Sequence, residues 1–298
     1  MKLLWIEDFL ALADTGTFSR AAAMRYITQP AFSRRIQALE AWLGVELIDR
    51  RSQPMQLTAI AKRHIPEFQA LLRDIGQLRS HMQSENTGVT QVTLATQHSL
   101  TMTRLPSLLG LFAGSRRPRI EFAVRSENRD ECVALFMRGD ADLLLCMEER
   151  NDPLRSLIPA NRRVSMGQET LIALSAAGRN GRPMHAPRTG RPLKLLAFPP
   201  NSYLGRVMYQ HGFNVLFQTC QVQIVHESVF LAGVKEMLLA GLGMAWLPQS
   251  LVERELKSGS LAALDDTLPS VTLELGLYRG DHSSHPAAMD RIWSTLRR

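Results

Sequence analysis

The sequence predicts an α+β chain of several domains, with a helical N-terminal part, one long helix and a larger α/β part. Helical periodicity with short turn signals dominates the first 44 residues, and one uninterrupted amphipathic stretch covers residues 58–84. From residue 91 onward, strand and helix patterns alternate over about 200 residues. The chain has 298 residues, which is enough for two or three domains.

The composition is that of an ordinary globular protein, with 45% hydrophobic and 21% charged residues. These values exclude collagen-like and low-complexity classes. No apolar run approaches the roughly 20 residues that span a bilayer. Glu7 and Asp8 interrupt the apolar start that a signal peptide would need. The three cysteines are widely spaced and an odd number, so they cannot form a disulfide framework. We therefore expect a cytoplasmic protein with no membrane partner.

Three helices are predicted in the N-terminal part. Residues 3–15 carry one apolar stripe, and a second helix follows Ser19, a residue type that caps helices well. A third helix begins near Thr28, has Pro30 in its first turn and runs to about Leu43. The tight turn between the second and third helices gives a helix-turn-helix layout.

The third predicted helix has a polar face that could enter the major groove of DNA. Gln29, Ser33 and Arg34 lie away from its apolar stripe, where N-terminal residues of such a helix reach base edges. Eight basic and three acidic residues occur between positions 18 and 63, a net charge of +5 out of +7 for the whole chain. The alternative is a three-helix cap with a solvated basic face. The candidate DNA contacts are Ser19, Thr28, Gln29, Pro30, Ser33, Arg34, Arg35, Arg50 and Arg51.

The stretch from 58 to 84 predicts one long amphipathic helix that opens at Thr58. Its apolar seam needs a partner, which is either a helix of a second chain or the helix's own domain. Pro66 lies beyond the first turn and is expected to bend the helix. Residues 84–88 are typical of a hinge. The candidate dimerisation residues on this seam are Ile65, Phe68, Leu72 and Ile75.

The remaining chain predicts mostly parallel α/β sheets. The predicted strands cover residues 91–96, 119–124, 142–146, 169–174, 193–198, 218–224, 244–246 and 273–278. The predicted helices cover residues 100–112, 128–139, 203–211, 228–240, 248–257 and 287–296.

Polar residues follow several of these strands, at the positions where open α/β sheets bind ligands. The alternative is that they are solvated turns, and Ser99 could simply cap the helix from residue 100. A backbone N–H at such a helix start could also bind an anion. The candidate ligand contacts are Gln97, His98, Ser99, Thr101, Asn201, Ser202, Tyr203, Arg206, His226 and Ser228.

A dense set of residues in the N-terminal part resembles the signature of LysR-type transcriptional regulators. The matching segments are residues 18–22, 28–36, 39–40, 43–45 and 47–50. The sequence departs from that signature at Gln53, where the family often has Arg, and at Pro54, where it often has Gly. Weaker matches to the family's C-terminal landmarks are residues 105–106, 139–143, 240–248 and 259–261.

The resemblance implies a winged helix-turn-helix, a long linker helix and a two-lobed effector domain like periplasmic solute-binding proteins. It implies a DNA-binding domain at 1–58, with a wing at 45–57, and a linker that pairs subunits at 59–88. The effector domain would cover 89–298, with one lobe at 89–162 and 267–298 and the other at 163–266. The implied partners are double-stranded DNA, a small-molecule effector that could be anionic, and further copies in a homodimer or homotetramer.

Residues 201–206 and 241–248 most resemble the hypochlorite-responsive branch of this family, which senses oxidant through methionine. Leu204 and Phe230 stand where that branch would have methionine, so the sensing chemistry does not carry over residue by residue. Oxidant sensing through methionine or cysteine therefore remains an alternative to effector binding.

Signs of enzymatic chemistry are weak. His282 and His285 have a spacing that could bind a metal, but no cysteine or carboxylate pattern accompanies them. The glycines at 241 and 243 lack the third glycine of a dinucleotide-binding turn. We expect no catalytic residues, metal or cofactor. The alternative of a different class is an α/β solute-binding protein or enzyme with a helical assembly head, which would not need the basic excess of that head.

Overall fold

The computed structural model describes residues 2–52, 54–112, 119–187, 190–264, 268–281, 283 and 285–297. The chain divides into two compact units, Met1–Asn86 and Thr87–Arg298. Among the described residues, no helix combines the length and the apolar character that crossing a membrane requires.

The N-terminal unit is built from helices and one short hairpin. In chain order its described elements are α1 (Leu3–Thr15), α2 (Phe18–Met24), α3 (Gln29–Leu43), β1 (Ile48–Asp49), β2 (Gln56–Leu57) and α4 (Ala59–Thr87).

One apolar core joins the first three helices. Phe9 and Leu12 of α1 pack against Phe32 and Leu39 of α3, and all four side chains are buried. The predicted helices over residues 3–15 and from 28 to 43 are confirmed. The start of α2 corrects the sequence prediction, because its N-cap is Thr17 and Ser19 lies inside the helix.

The predicted wing is an antiparallel hairpin in which Ile48 pairs with Leu57. The long helix α4 then opens at Thr58, whose Oγ1 accepts a hydrogen bond from the Ala61 N–H at 3.2 Å. The helix continues through Pro66 to Thr87. The predicted hinge over 84–88 is therefore wrong for its first four residues, and the turn is confined to Gly88, whose φ is 65°.

The first half of α4 packs on its own domain. Ile65, Phe68 and Leu72 lie against the N-terminal core, and the Phe68 ring meets Phe9 edge-on at 5.1 Å between centroids. Since these three side chains are partly buried there, they do not form an exposed seam, and their part in dimerisation stays a prediction. Ile75 remains 38% exposed. The exposed apolar residues from Leu71 onward in α4 are Leu71, Ile75, Leu78 and Met82.

The C-terminal unit combines one mixed sheet with helices. Its described strands are β3 (Val89–Gln97), β4 (Arg119–Glu127), β5 (Leu143–Glu148), β6 (Arg163–Ala176), β7 (Leu193–Ala197), β8 (Val222–Glu227), β9 (Met244–Pro248), β10 (Leu261–Ala263) and β11 (Val271–Arg279). Its described α-helices are α5 (His98–Thr103), α6 (Leu105–Gly110), α7 (Arg129–Met137), α8 (Pro153–Leu157), α9 (Tyr203–Met208), α10 (Asn214–Thr219), α11 (Leu231–Leu239), α12 (Glu253–Ser258) and α13 (Pro286–Leu296).

The strand order is β4-β3-β5-β11-β6-β9-β7-β8, and β10 pairs with β6. Two parallel groups, β4-β3-β5 and β9-β7-β8, lie on either side of β11 and β6. Both central strands pair antiparallel with their neighbours. The prediction of mostly parallel sheets is therefore wrong, because the chain crosses between the groups on β6 and returns on β11.

Several element boundaries differ from the sequence prediction. The predicted helix 100–112 is two helices, α5 and α6, because Pro106 lies in a first turn and lacks the N–H that would continue the ladder. The predicted strand 218–224 begins at Val222, since a π-helical turn at Tyr209–Phe213 joins α9 to α10 and extends the helix to Thr219. The predicted helix from 228 begins at Leu231.

Gly205 in α9 allows a very close backbone approach. A Cβ at this position would lie 1.9 Å from the carbonyl oxygen of Pro199. The structure therefore requires glycine here for space, although the local conformation is helical. Gly110 at the end of α6 offers a contrast, because no surrounding atom lies within 4 Å of the position that a Cβ would take, and the residue is exposed.

We expect Gly205→Ala to destabilise the C-terminal unit by about 2 kcal/mol or more, because the backbone around Pro199 must move. Gly110→Ala is the matched control and should change stability by no more than about 1 kcal/mol, in the favourable direction. Urea unfolding followed by circular dichroism measures both values. Equal stability of the two variants would contradict the close approach at Gly205.

Candidate functional site

The polar face of α3 is presented on a buried apolar base. Gln29, Pro30 and Arg34 are exposed and Ser33 is half-buried, whereas Phe32 on the other side of the helix is fully buried. Thr28 occupies the N-cap position and is exposed, but its side chain makes no capping hydrogen bond. The exposed side chains therefore lie together at the N-terminal half of the helix.

Arg35 does not belong to this exposed face. Its Nη1 lies 3.1 Å from Oδ2 of Asp8, a carboxylate that is fully buried. Asp8 also accepts a hydrogen bond from Nε of Arg25 at 2.8 Å, and Arg25 pairs in addition with Glu7. The Arg35 guanidinium therefore joins α3 to α1, and its role as a DNA contact stays a prediction.

The hairpin is connected to α3 through Glu40. Its Oε1 accepts hydrogen bonds from the N–H groups of Leu47 and Ile48, and its Oε2 lies 2.9 Å from Nη2 of Arg50. The Arg50 side chain is still 54% exposed. Arg51 is exposed, and Gln53, the position that departs from the family signature, lies outside the described residues.

A small cavity of about 50 Å³ lies at the carboxyl ends of β3, β4 and β7. This is the edge at which open α/β sheets bind ligands. Five of the predicted residues line it, namely Gln97, His98, Ser99, Ser202 and Tyr203. The lining residues that sequence reasoning missed are Met102, Glu127, Asn128, Arg129, Phe198, Leu204, Val229, Phe230, Leu231 and Ala232.

The polar side chains at the end of β3 and the start of α5 that line the cavity already form hydrogen bonds within the fold. Gln97 Oε1 accepts a hydrogen bond from the Met147 N–H at 2.7 Å. Nδ1 of His98 lies 3.0 Å from Oγ of Ser126, and the imidazole meets the Phe230 ring edge-on. These contacts fix the orientation of both side chains at the cavity wall.

Ser99 and Ser202 exchange their expected roles. Ser99 lies inside α5, whose N-cap is Gln97, so the prediction that Ser99 caps the helix is wrong. Ser202 is the N-cap of α9, since its Oγ accepts a hydrogen bond from the Gly205 N–H at 3.0 Å and donates one to the Pro199 carbonyl at 2.7 Å. The Ser202 hydroxyl is therefore used by the fold.

The other predicted contacts are not among the residues that line this cavity. Thr101 Oγ1 lies 2.9 Å from Oγ of Ser126. Arg206 donates to the Asn201 carbonyl at 2.7 Å and pairs with Asp130 at 3.1 Å. Ser228 and His226 lie before α11, and Ser228 Oγ accepts a hydrogen bond from the Phe230 N–H at 3.0 Å. These five residues therefore do not line this cavity, and most of their polar groups serve other contacts of the fold. Their role as ligand contacts stays a prediction.

Arg129 is the basic residue at the cavity that the sequence reasoning missed. It is 8% exposed, its Nε donates to the Met147 carbonyl at 2.8 Å, and its Nη2 pairs with Asp152 at 2.5 Å. Its guanidinium carbon lies 4.0 Å from the centre of the Tyr203 ring. A sequence signal for Arg129 does exist, because it begins α7 directly after the end of β4. The ends of such strands are where ligands bind in open α/β sheets.

Tyr203 carries an unpaired hydroxyl. The residue is 7% exposed, and within the described part of the chain no group forms a hydrogen bond with its buried Oη. Burial is the largest influence on the pKa of this phenol and raises it well above its usual range. The hydroxyl is therefore a neutral donor without an acceptor, which is uncommon in a folded protein.

The cysteines at this end of the sheet are protonated thiols. Burial raises the pKa of Cys132 to about 11 and that of Cys146 to about 12. Since the thiolate is the reactive form, both groups are poor nucleophiles at neutral pH. The described residues hold no group of three or more histidine, cysteine or acidic side chains that could bind a metal ion, and His282 lies outside them.

Two family models match the chain. Residues 3–62 match the bacterial regulatory helix-turn-helix protein of the lysR family, and residues 86–298 match the LysR substrate binding domain. The HTH-type transcriptional regulator YjiE of Escherichia coli K12 is 29% identical, over 98% of this chain and 93% of that protein.

Solved structures of whole chains are also similar. DarR of Vibrio fischeri, crystallised in complex with DNA, is 28% identical with a TM-score of 0.61, over 99% of this chain and 98% of that one. Full-length HypT of Salmonella typhimurium, a hypochlorite-specific LysR-type regulator, is 27% identical with a TM-score of 0.60, over 100% and 98%. The hypochlorite branch is thus a distant similarity. Together with the exposed helix α3 and the α/β domain with its cavity, these matches show that the chain belongs to the LysR family. It is a DNA-binding transcriptional regulator with an effector-binding domain.

Proposed function

We propose that α3 lies in the major groove of DNA and reads base edges through Gln29, Ser33 and Arg34. The observation that supports this most directly is the exposed polar N-terminal half of α3 on its buried apolar base. An α-helix fits the major groove, and the guanidinium of Arg binds guanine in a bidentate manner. Arg50 and Arg51 bind phosphates on the flanking backbone, where Arg50 exchanges Glu40 for a phosphate oxygen.

The protein acts as a homodimer that can pair into a tetramer. The support is the exposed apolar stripe on α4 that is formed by Leu71, Ile75, Leu78 and Met82. These residues recur at helical spacing, as they do where two helices pack along a seam. Two copies of α3 would then contact two half-sites, whose spacing the dimer sets.

The effector is a small polar molecule that binds in the cavity of the C-terminal domain. The cavity volume of about 50 Å³ suits a ligand of a few heavy atoms. Its hydrogen-bonding contacts are Ser99 and the unpaired hydroxyl of Tyr203. The charge of Arg129 is already balanced by Asp152, and Glu127 lines the same cavity. Electrostatics therefore favour a neutral ligand with a carbonyl oxygen over an anion.

In this proposal the effector domain, the dimer and the DNA-binding helix α3 act in sequence. A ligand that binds one arrangement of the effector domain more tightly than another shifts the population between them. Because dimers hold two α3 helices at a set spacing, a change in the arrangement of the subunits changes how the protein holds its DNA. The similar protein YjiE is a regulator, which is consistent with a role of this kind rather than an enzymatic one.

We expect Arg34→Ala to reduce the preference for the cognate duplex over a scrambled one by about tenfold or more. Arg50→Ala should weaken binding to both duplexes alike and lower the slope of log affinity against log salt by about one. Fluorescence anisotropy on DNA from upstream of the protein's own gene measures both effects at two salt concentrations. Arg179→Ala, an exposed arginine of the other domain, is the charge-matched control. Parent-like binding by both test variants would refute the proposed DNA interface.

Oligomerisation is expected to fail when charge is placed on the α4 stripe. Leu78 is 61% exposed, so Leu78→Glu should leave the fold intact and convert dimers into monomers. Leu157 is 67% exposed in the other domain, and Leu157→Glu is the control that should remain dimeric. Light scattering coupled to size-exclusion chromatography gives the masses. A dimeric Leu78→Glu variant would show that the interface lies elsewhere.

Tyr203→Phe should abolish the response to a ligand without lowering the stability of the ligand-free protein. Removing an unpaired buried hydroxyl is expected to leave the ligand-free stability unchanged or to raise it by up to about 1 kcal/mol. The probes are acetamide, a small neutral carbonyl compound, and acetate, its anionic counterpart. We expect acetamide to raise the thermal midpoint of the parent more than acetate does, and Tyr203→Phe and Ser99→Ala to abolish that rise. Thr101→Ala is the control that should keep it. A larger effect of acetate would overturn the assignment of a neutral ligand.

A further inference from the structure

Tyr26, in the turn between α2 and α3, combines two properties that the proposed function does not use. Its φ is 54°, and it is the one residue other than glycine with a positive φ among the described residues. Its side chain is 95% exposed. A bulky side chain in this backbone region is strained, and packing cannot repay the strain when the ring lies in solvent.

The backbone geometry identifies the position as one that normally takes glycine. The N–H of Tyr26 donates to the Ala23 carbonyl at 3.1 Å, and the N–H of Ile27 donates to the Ala22 carbonyl at 3.0 Å. These two hydrogen bonds are the Schellman motif that ends a helix, with Tyr26 at the left-handed position. Glycine is favoured there because it has no Cβ. Tyrosine is therefore present at a position whose backbone favours glycine.

Both neighbours of Tyr26 are anchored. Arg25 is bound by Glu7 and Asp8, and Ile27 packs against the N-terminal core. The turn cannot rotate to bury the ring without breaking these contacts. The backbone of Tyr26 is thus held in place, with the phenol in solvent.

That place lies beside the proposed DNA interface. Tyr26 precedes Thr28, the N-cap of α3, by two residues, so their Cα atoms are no more than about 7 Å apart. A helix fills the major groove, which is about 12 Å wide, so a residue just outside its N-terminus meets the sugar–phosphate strand at the groove edge. Tyrosine hydroxyls are among the groups that bind phosphates in such interfaces.

We propose that Tyr26 is a DNA backbone contact whose hydroxyl donates a hydrogen bond to a phosphate at the edge of the groove that α3 enters. The inference rests on the proposed position of α3 in the major groove. The anchored turn holds the backbone of Tyr26 in place before DNA arrives, so little backbone freedom is lost on binding.

The test uses the full-length protein, the cognate and scrambled duplexes and three variants. Tyr26→Phe removes only the hydroxyl and should weaken binding to both duplexes by roughly threefold to tenfold, because a phosphate contact carries no base information. The salt slope should stay that of the parent, since no charge is lost. Tyr26→Gly should weaken binding at least as much and raise the thermal midpoint by about 2–4 °C, because glycine relieves the strain.

Trp42→Ala is the matched control, since Trp42 is also an exposed aromatic residue, 55% exposed near the other end of α3. It should bind like the parent. Parent-like affinity in Tyr26→Phe and Tyr26→Gly overturns the proposal, as does a lower thermal midpoint for Tyr26→Gly. If the parent binds DNA and loses discrimination in Arg34→Ala while the Tyr26 variants bind normally, only this inference fails. If the parent binds neither duplex, the proposed function fails as well.

Discussion

The antiparallel placement of β6 and β11 at the centre of the large sheet determines the form of the C-terminal domain. Each strand joins one parallel group to the other, so the chain crosses between the groups twice. Glu148 of β5 is fully buried there and accepts hydrogen bonds from Arg163 of β6 and Tyr278 of β11. Burying a carboxylate is costly unless it is paired and hydrogen-bonded, and these two donors provide both. The contact therefore fixes three strands at the point of crossing.

Of the two crossing strands, β6 is connected to the cavity through α5. The short helix α5 carries His98 and Ser99 at its start, and Arg104 follows directly at its end. Nη2 of Arg104 lies 3.2 Å from Oε2 of Glu169 in β6, and Ser250 donates to the same oxygen at 2.6 Å. Glu169 is buried and the Arg104 side chain is 39% exposed, so the pair joins the surface end of α5 to the interior of β6. A ligand that displaces α5 would therefore move a group bound to the strand on which the two halves of the sheet meet.

Much of the architecture could be predicted from local signals, and the errors at the candidate sites share one cause. The end of α1 at Thr15, the end of α3 at Leu43 and the start of α4 at Thr58 depend on neighbouring residues, so periodicity and capping chemistry predict them. The role of Arg35 depends on Asp8, 27 residues earlier, and that of Arg129 on Asp152, 23 residues later. A sequence pattern shows that a residue is charged but not which distant charge will reach it. The sequence therefore predicts that polar groups lie at the strand ends. Only the fold shows which of them line the cavity and which bind other residues of the chain.

The unpaired hydroxyl of Tyr203 explains how a small cavity could control a large domain. Arg129 stacks on the ring, and Ser202 and the close approach at Gly205 hold the start of α9, so the phenol cannot turn to find a partner. A buried donor without an acceptor costs free energy in this arrangement and costs less in one where water reaches it. The arrangement described here therefore leaves one buried donor unpaired. In the proposed effector site a ligand carbonyl would supply the missing acceptor, so ligand binding would favour this arrangement without any change in the charge of the site.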